Sequence, residues 1–92
     1  MQYSYVLLSE RDNRFYTGCT DDLRKRVREH NQARVRSAYR APLRLIYYEA
    51  CLDRNDAVRR ERFLKTGKGK RFLKRRLAGF LLASRHSKLE RH

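Results

Sequence analysis

The chain has 92 residues, which is enough for one domain and too few for a second hydrophobic core. Hydrophobic residues make up 40% of it, so its composition excludes an intrinsically disordered chain. It carries 24 Lys and Arg against 10 Asp and Glu, for a formal net charge of +14. This charge favours nucleic acid as the partner, ahead of an anionic membrane surface, because bound phosphates neutralise it. A solvated charged coat is the alternative that charge alone leaves open.

The sequence predicts neither a membrane segment nor a zinc site. No apolar run approaches the roughly 18 residues that span a bilayer, and residues 1–8 lack the basic start of a signal peptide. Cys19 and Cys51 form no CxxC pair, and the Cys and His residues show no zinc-ligand spacing. We therefore expect reduced thiols and a cytoplasmic location.

The first half of the chain predicts a hairpin followed by a helix. Residues 3–8 and 14–19 are rich in strand-forming residues, and Asp12-Asn13 supplies turn chemistry between them. Residues 20–22 offer N-cap and first-turn side chains for a helix that ends near His30.

The second half predicts one more strand and two more helices. After a basic loop, residues 43–50 form the strand and residues 53–65 the second helix. The glycines in residues 66–70 are expected to break that helix, and the third runs from about 71 to 82. The fold class is then α+β, a small three-stranded antiparallel sheet flanked by about three helices. We expect one domain over residues 1–82 and a polar, frayed tail over residues 83–92.

Helical phase directs a few charged side chains inward. At 100° per residue, His30 falls in the apolar stripe of the first helix and Arg26 on its shoulder. Glu61 falls on the inner face of the second helix, and Arg76 in the apolar arc of the third. Buried charges need a partner or a ligand. An internal ion pair between Glu61 and Arg26 is therefore one interpretation.

A catalytic site is the other interpretation. Tyr5 and Tyr16 lie eleven residues apart on the two predicted strands of the hairpin. Together with Arg26, His30 and Glu61 they are expected to line one concave face. Two phenols, a guanidinium, an imidazole and a carboxylate suffice for metal-assisted cleavage of a phosphodiester bond.

At these positions the chain resembles the GIY-YIG nucleases. Tyr3-Ser4-Tyr5 corresponds to the first signature of that family and Tyr16-Thr17-Gly18 to the second. The catalytic arginine of the family falls on Arg26, the histidine one turn later on His30, and the metal-binding glutamate on Glu61. The resemblance covers residues 3–82 and is closest to the small single-domain bacterial members.

The resemblance implies a divalent-metal-dependent DNA endonuclease that acts in repair, recombination or processing of structured DNA. By this resemblance Glu61 would hold Mg²⁺ or Mn²⁺, and Arg26 would stabilise charge on the scissile phosphate. Either Tyr5 or Tyr16 is the general base, and His30 positions or relays a proton. Gly18 allows close approach of the phosphate, although a turn glycine is an equal explanation.

The chain departs from the family pattern at several positions. Cys19 stands where some members carry a lysine directly after the second signature. The late asparagine of the homing type is missing, and Arg76 is a candidate for that neighbourhood. These departures leave the efficiency of catalysis open.

Further cations are candidates for phosphate contacts without base readout. They cluster in and after the basic loop and at the start of the third helix: Arg34, Arg36, Arg40, Arg44, Lys68, Lys70, Arg71, Lys74 and Arg75. Tyr39 is a candidate for stacking on a splayed base. The implied partner is DNA, structured or branched, with RNA not excluded and with protein partners for targeting. The alternative function is a non-catalytic nucleic-acid-binding protein on a decayed nuclease scaffold.

Overall fold

The computed structural model of the protein describes residues 1–32 and 42–90. In this part of the chain three strands and four helices occur, in the order β1 (Gln2–Ser9), β2 (Phe15–Thr20), α1 (Leu23–Asn31), β3 (Leu43–Cys51), α2 (Arg54–Lys65), α3 (Gly67–Arg76) and α4 (Ala78–Glu90). The chain divides into two compact units, residues 1–62 and residues 63–92. The predicted division into one domain over residues 1–82 and a tail over residues 83–92 is not tested by this division and stays a prediction.

The first unit is built on an antiparallel sheet of three strands in the order β2-β1-β3. The predicted α+β fold class is confirmed. The turn between β1 and β2 is as predicted: Asn13 adopts a left-handed φ of 58°, and a carboxylate oxygen of Asp12 accepts a hydrogen bond from the amide of Arg14 at 3.0 Å. Asn tolerates this conformation better than most residues, which fixes the hairpin.

One face of the sheet carries the core of the first unit. Tyr5, Leu7 and Leu43 are buried there, and Leu23 and Val27 of α1 pack against them. α1 begins after Asp22, whose side chain accepts from the amide of Lys25, so the predicted cap is confirmed. The helix is therefore placed across the face that bears Tyr5.

The side chain of Asn31 ties the end of α1 to the start of β3. Its amide nitrogen donates to the carbonyl of Leu43 at 3.0 Å, and its oxygen accepts from the amide of Leu43 at 2.8 Å. Asn31 substitutes in this way for a neighbouring strand at that position of β3, and it holds the last turn of α1 near the sheet.

The junction between α2 and α3 differs from the prediction. Thr66 is the only residue between the two helices and is the N-cap of α3, accepting from the amide of Gly69 at 3.0 Å. A Cβ on Gly69 would lie 2.0 Å from the carbonyl oxygen of Phe63. Gly69 thus allows α3 to pack closely on the last turn of α2. Gly67 and Gly69 both lie within α3, whereas the sequence predicts that this helix starts at Arg71.

The C-terminal helices also differ from the prediction. The predicted helix over residues 71–82 is two helices, because α3 ends at Arg76 and Leu77 separates it from α4. α4 continues to Glu90, past the predicted helix end at Leu82, and the polar tail over residues 83–92 stays a prediction. Residues 80–90 contain neither Gly nor Pro, and several are good helix formers, which explains why the helix continues.

Candidate active site

The hydroxyl of Tyr5 is the point at which the predicted site residues meet. Tyr5 lies on the central strand and is 2% exposed. Its hydroxyl lies 3.1 Å from Nε2 of His30, and Nε of Arg26 donates to it at 3.3 Å. Arg26 and His30 are four residues apart on α1 and so share one face of the helix. The inward orientation predicted for both residues is confirmed.

Burial and charge set the protonation of these groups. Burial raises the pKa of Tyr5, and the hydrogen bond and positive charge of Arg26 oppose this shift. Burial also lowers the pKa of His30, and the charge of Arg26 lowers it further. His30 is therefore neutral at pH 7, and a neutral imidazole whose nitrogen faces a phenol can accept its proton.

Gly18 makes room for the phenol of Tyr5. The two residues are paired across β2 and β1, and a Cβ on Gly18 would lie 2.4 Å from the hydroxyl oxygen of Tyr5. Gly18 lies within β2 with no positive φ, so the explanation as a turn glycine is wrong. The side chain of Tyr5 thus extends over the backbone of β2, which is an edge strand of the described sheet.

Tyr16 lies on the same face as Tyr5 but is held differently. It is paired with Leu7, two residues along β1 from Tyr5, which makes the two tyrosines diagonal neighbours. Its hydroxyl donates to a carboxylate oxygen of Asp12 at 3.3 Å. The hydroxyl of Tyr16 is therefore engaged by the hairpin turn, whereas that of Tyr5 is engaged by α1.

Glu61 approaches from the other face of the sheet. Ser4 and Cys19 are paired with each other and alternate with Tyr5 and Gly18, so they point to the opposite side. The hydroxyl of Ser4 donates to the carbonyl of Ala57 in α2 at 2.8 Å, and the sulfur of Cys19 lies 3.2 Å from the same oxygen. One turn later, Glu61 accepts a hydrogen bond from the thiol of Cys19 at 3.4 Å.

The site residues thus reach β2 from both faces of the sheet, and the expectation that all of them line one concave face stays a prediction. Strand alternation puts Tyr5 on the face of the sheet that α1 covers. It puts Cys19 on the opposite face, where α2 and Glu61 lie. The two sets come together around β2, because Tyr5 extends over Gly18 and Cys19 is the next residue. Burial is the largest cause of the raised pKa of Tyr5, and the negative charge of Glu61 is one of the smaller causes.

Cys19 makes a contact that the sequence does not predict. Burial raises the pKa of its thiol to about 11, with the hydrogen bond to Glu61 and the negative charge of Glu61 adding to the shift. The thiol is thus protonated at neutral pH and acts as a hydrogen-bond donor to the carboxylate. No spacing in the sequence signals this contact, which depends on where α2 packs.

A carboxylate such as Glu61 fits the metal ion that the family resemblance implies. It is only partly buried, and it accepts a hydrogen bond from the thiol of Cys19, which is a weak donor. In the described residues no group of three or more metal-binding side chains occurs. Mg²⁺ is commonly held by one or two carboxylates, with water and substrate phosphate completing its shell, so one glutamate is sufficient.

The predicted phosphate-contacting residues are only partly described. Arg34, Arg36, Tyr39 and Arg40 lie outside the described residues. Arg44 is exposed on β3. The others are exposed on α3, in the second unit: Lys68, Lys70, Arg71, Lys74 and Arg75.

Arg76 is exposed as well, rather than part of an apolar arc. It lines a surface pocket together with Lys68, Arg71, Phe72 and Arg75. It thus adds to the positive surface of α3.

No helix in residues 1–32 or 42–90 has the length and apolar character needed to cross a membrane.

Comparison with known proteins identifies the family. The model of the GIY-YIG catalytic domain matches residues 1–76. A UPF0213 protein of Lacticaseibacillus paracasei is 44% identical over 61 residues, which are 64% of this chain and 67% of that protein. A UPF0213 protein of Pediococcus acidilactici is 38% identical over 76 residues, 78% of this chain and 76% of that protein.

A UPF0213 protein of Desulfotalea psychrophila is 39% identical over 57 residues, which cover 59% of this chain and 52% of that protein. No solved structure is significantly similar to the chain. The family match spans both signatures and Arg26, His30 and Glu61, the residues that meet around β2. The chain belongs to the GIY-YIG family of nucleases.

Proposed function

We propose that the protein is a divalent-metal-dependent endonuclease that hydrolyses phosphodiester bonds in DNA. The observation that supports this most is the convergence of His30 and Arg26 on the hydroxyl of Tyr5. A fold has little need to bury a phenol, an imidazole and a guanidinium together, since each must be compensated for lost hydration. Hydrolysis needs a proton acceptor and a fixed positive charge in one place.

Tyr5 is the general base in this proposal. It takes a proton from the attacking water and passes its own proton to the neutral Nε2 of His30. The pKa of Tyr5 is raised by burial, so direct ionisation at neutral pH is unfavourable and a concerted transfer to His30 supplies the route. Tyr16, whose hydroxyl donates to Asp12, holds the hairpin turn beside the site.

Arg26 and Glu61 stabilise the charge that develops on phosphate. The guanidinium of Arg26 donates one N–H to Tyr5 through Nε and retains further N–H groups for a phosphate oxygen. Glu61 would hold Mg²⁺ or Mn²⁺, and the bound ion would supply Lewis-acid neutralisation of phosphate charge.

Plasmid nicking tests the proposal. The purified protein is incubated with supercoiled plasmid and with branched DNA, with Mg²⁺ and with a chelator. Nicking that requires Mg²⁺ and is lost in Glu61→Gln supports it, since this variant keeps the side-chain volume and removes the negative charge. Equal nicking by wild type and Glu61→Gln, or none by wild type, rejects the mechanism.

A non-catalytic nucleic-acid-binding protein is the second candidate function. The observation that favours it is the hydrogen bond from the thiol of Cys19 to Oε2 of Glu61, which competes with a metal for one of the two carboxylate oxygens. Such a protein binds DNA with a steep salt dependence and cuts none at any metal concentration.

The cellular setting belongs to the same proposal. We propose a cytoplasmic protein that acts in DNA repair, recombination or processing of structured DNA, with RNA as a further substrate class and with protein partners for targeting. The net charge of +14 supports a polyanionic substrate. Cleavage of defined branched, nicked and single-stranded DNAs would rank the substrates.

A further inference from the structure

Two tyrosines outside the catalytic set form an exposed aromatic pair. Tyr48 on β3 is 52% exposed, although aromatic side chains usually bury most of their area. Its ring lies edge-on to that of Tyr3 on β1, with centroids 5.8 Å apart and an interplanar angle of 70°. The pair offers aromatic surface to solvent while Tyr3 restrains the orientation of Tyr48.

The pair lies on the same face as Tyr5. Tyr48 is paired directly with Tyr5 across β3 and β1, and Tyr3 precedes Tyr5 by two residues. The phenol of Tyr5 extends the other way, over Gly18 of β2. The strands β2 and β3 flank β1 and are roughly 10 Å apart, which is two strand spacings. Tyr48 and the phenol of Tyr5 are therefore close enough to contact the same DNA strand.

Stacking is the interaction that such a surface offers a nucleic acid. Every base has an aromatic face, so a tyrosine ring can bind any base without reading its sequence. Only a base that is unpaired or displaced from its neighbours can be reached in this way, because a base in a duplex is already stacked on both sides. The net charge of +14 supplies affinity for the phosphates.

We propose that Tyr48, held by Tyr3, is a stacking site for an unpaired base of the DNA strand whose phosphate is bound at Tyr5. The inference rests on the proposed nuclease function and narrows its substrate class. The protein acts on DNA that is single-stranded, or that carries an unpaired nucleotide, next to the scissile phosphate.

Binding without cleavage tests the stacking site. Fluorescence anisotropy in the presence of a chelator compares a labelled oligothymidylate with a labelled blunt duplex at one salt concentration. The variants are Tyr48→Ala, Tyr48→Phe and Tyr48→Leu. The control is Leu52→Ala, which truncates another exposed apolar side chain, 87% exposed. Thermal unfolding of each variant shows whether the fold is kept.

The expected result is a selective loss. Tyr48→Ala and Tyr48→Leu weaken binding to the oligothymidylate by about 5- to 150-fold, the range for one stacked base. Both variants keep their affinity for the duplex within about twofold of wild type. Tyr48→Phe and Leu52→Ala keep their affinity for both DNAs within the same limit. Tyr48→Leu keeps apolar bulk, so it separates loss of stacking from loss of packing if the alanine variant unfolds.

Three results would overturn the proposal: unchanged affinity of Tyr48→Leu for the single strand, equal losses on both DNAs, or a loss in Tyr48→Phe as large as in Tyr48→Leu. Cleavage is scored separately with Mg²⁺. A wild-type protein that cuts nothing while Tyr48→Leu still loses single-strand affinity removes the nuclease function and leaves the stacking site standing.

Discussion

At the scale of single residues, the candidate active site is defined by the hydrogen bonds that its polar side chains make. The spacing of Tyr5, Arg26 and His30 in the sequence predicts their convergence, because strand and helix geometry follow directly from residue number. The hydrogen bond between Cys19 and Glu61 is beyond such prediction. It depends on the packing of α2 across the sheet, which no local periodicity specifies.

The thiol of Cys19 is expected to be unusually unreactive. Its pKa is raised to about 11, so its thiolate fraction at pH 8 is about two orders of magnitude below that of a free cysteine. Iodoacetamide labelling in the Cys51→Ser background, followed by mass spectrometry, should be slower by about that factor. Glu61→Gln removes the negative charge that raises the pKa and should accelerate labelling. A Cys19 that labels as fast as a free thiol in the folded protein would contradict this account.

His30 is expected to set the acid limit of cleavage. Its pKa is lowered from 6.5 by burial and by Arg26, and only the neutral form accepts the proton of Tyr5. The rate of cleavage should therefore fall as pH decreases through that lowered pKa, by about tenfold per pH unit, and the inflection should lie below 6.5. Measuring kcat/KM from pH 5 to 8 checks this. An inflection above 6.5, or the same profile in His30→Asn, is the contrary outcome.

At the scale of elements, the short strand β2 connects the two parts of the candidate site. It is an edge strand of the described sheet, and Gly18 and Cys19 face opposite sides of it. The hairpin and α1 are predictable from turn residues, capping residues and alternation. The start of α3 is not, because glycines usually end helices, whereas Gly69 allows close approach to Phe63.

Gly18→Ala is expected to damage the site through packing. The new methyl group would lie 2.4 Å from the hydroxyl of Tyr5, so the phenol has to move away from His30 and Arg26. We expect a loss of about 1–3 kcal/mol in the free energy of unfolding, the usual range for overpacking, measured by urea denaturation.

Gly79→Ala is the matched control, because an added Cβ there meets nothing within 4 Å. In helix α4 the same substitution should be neutral or stabilising by up to about 1 kcal/mol. Equal effects at the two positions would show that Gly18 is not needed for the packing of Tyr5.

At the scale of the whole molecule, charge is expected to govern affinity for a nucleic-acid substrate. The net charge of +14 is visible in the sequence and predicts binding to a polyanion. Which cations touch phosphate is not visible there, since exposure on a helix is shared by cations that bind phosphate and cations that do not. The exposed cations of α3 are the described candidates.

Removing cations from α3 is expected to weaken binding to every DNA to a similar degree. For Lys68→Ala, Arg71→Ala and Arg75→Ala, the salt slope of log K should fall by about 1 for each side chain that neutralises a phosphate in the wild-type complex. Arg59→Ala is the control, because Arg59 is already ion-paired with Asp56. Binding titrations at several salt concentrations measure the slopes, and slopes equal to that of wild type in all three variants would exclude α3 from the interface.

The most direct test of the central claim compares the two signature tyrosines in Mg²⁺-dependent cleavage. Tyr5→Phe keeps the buried ring and removes the hydroxyl that contacts His30 and Arg26. Its cleavage rate should fall by about 10²- to 10⁴-fold, the usual contribution of general base catalysis. Tyr16→Phe removes a hydroxyl that donates to Asp12 and should keep most of the rate. Wild-type cleavage by Tyr5→Phe, with the large loss in Tyr16→Phe, would contradict the assignment of Tyr5 as the base.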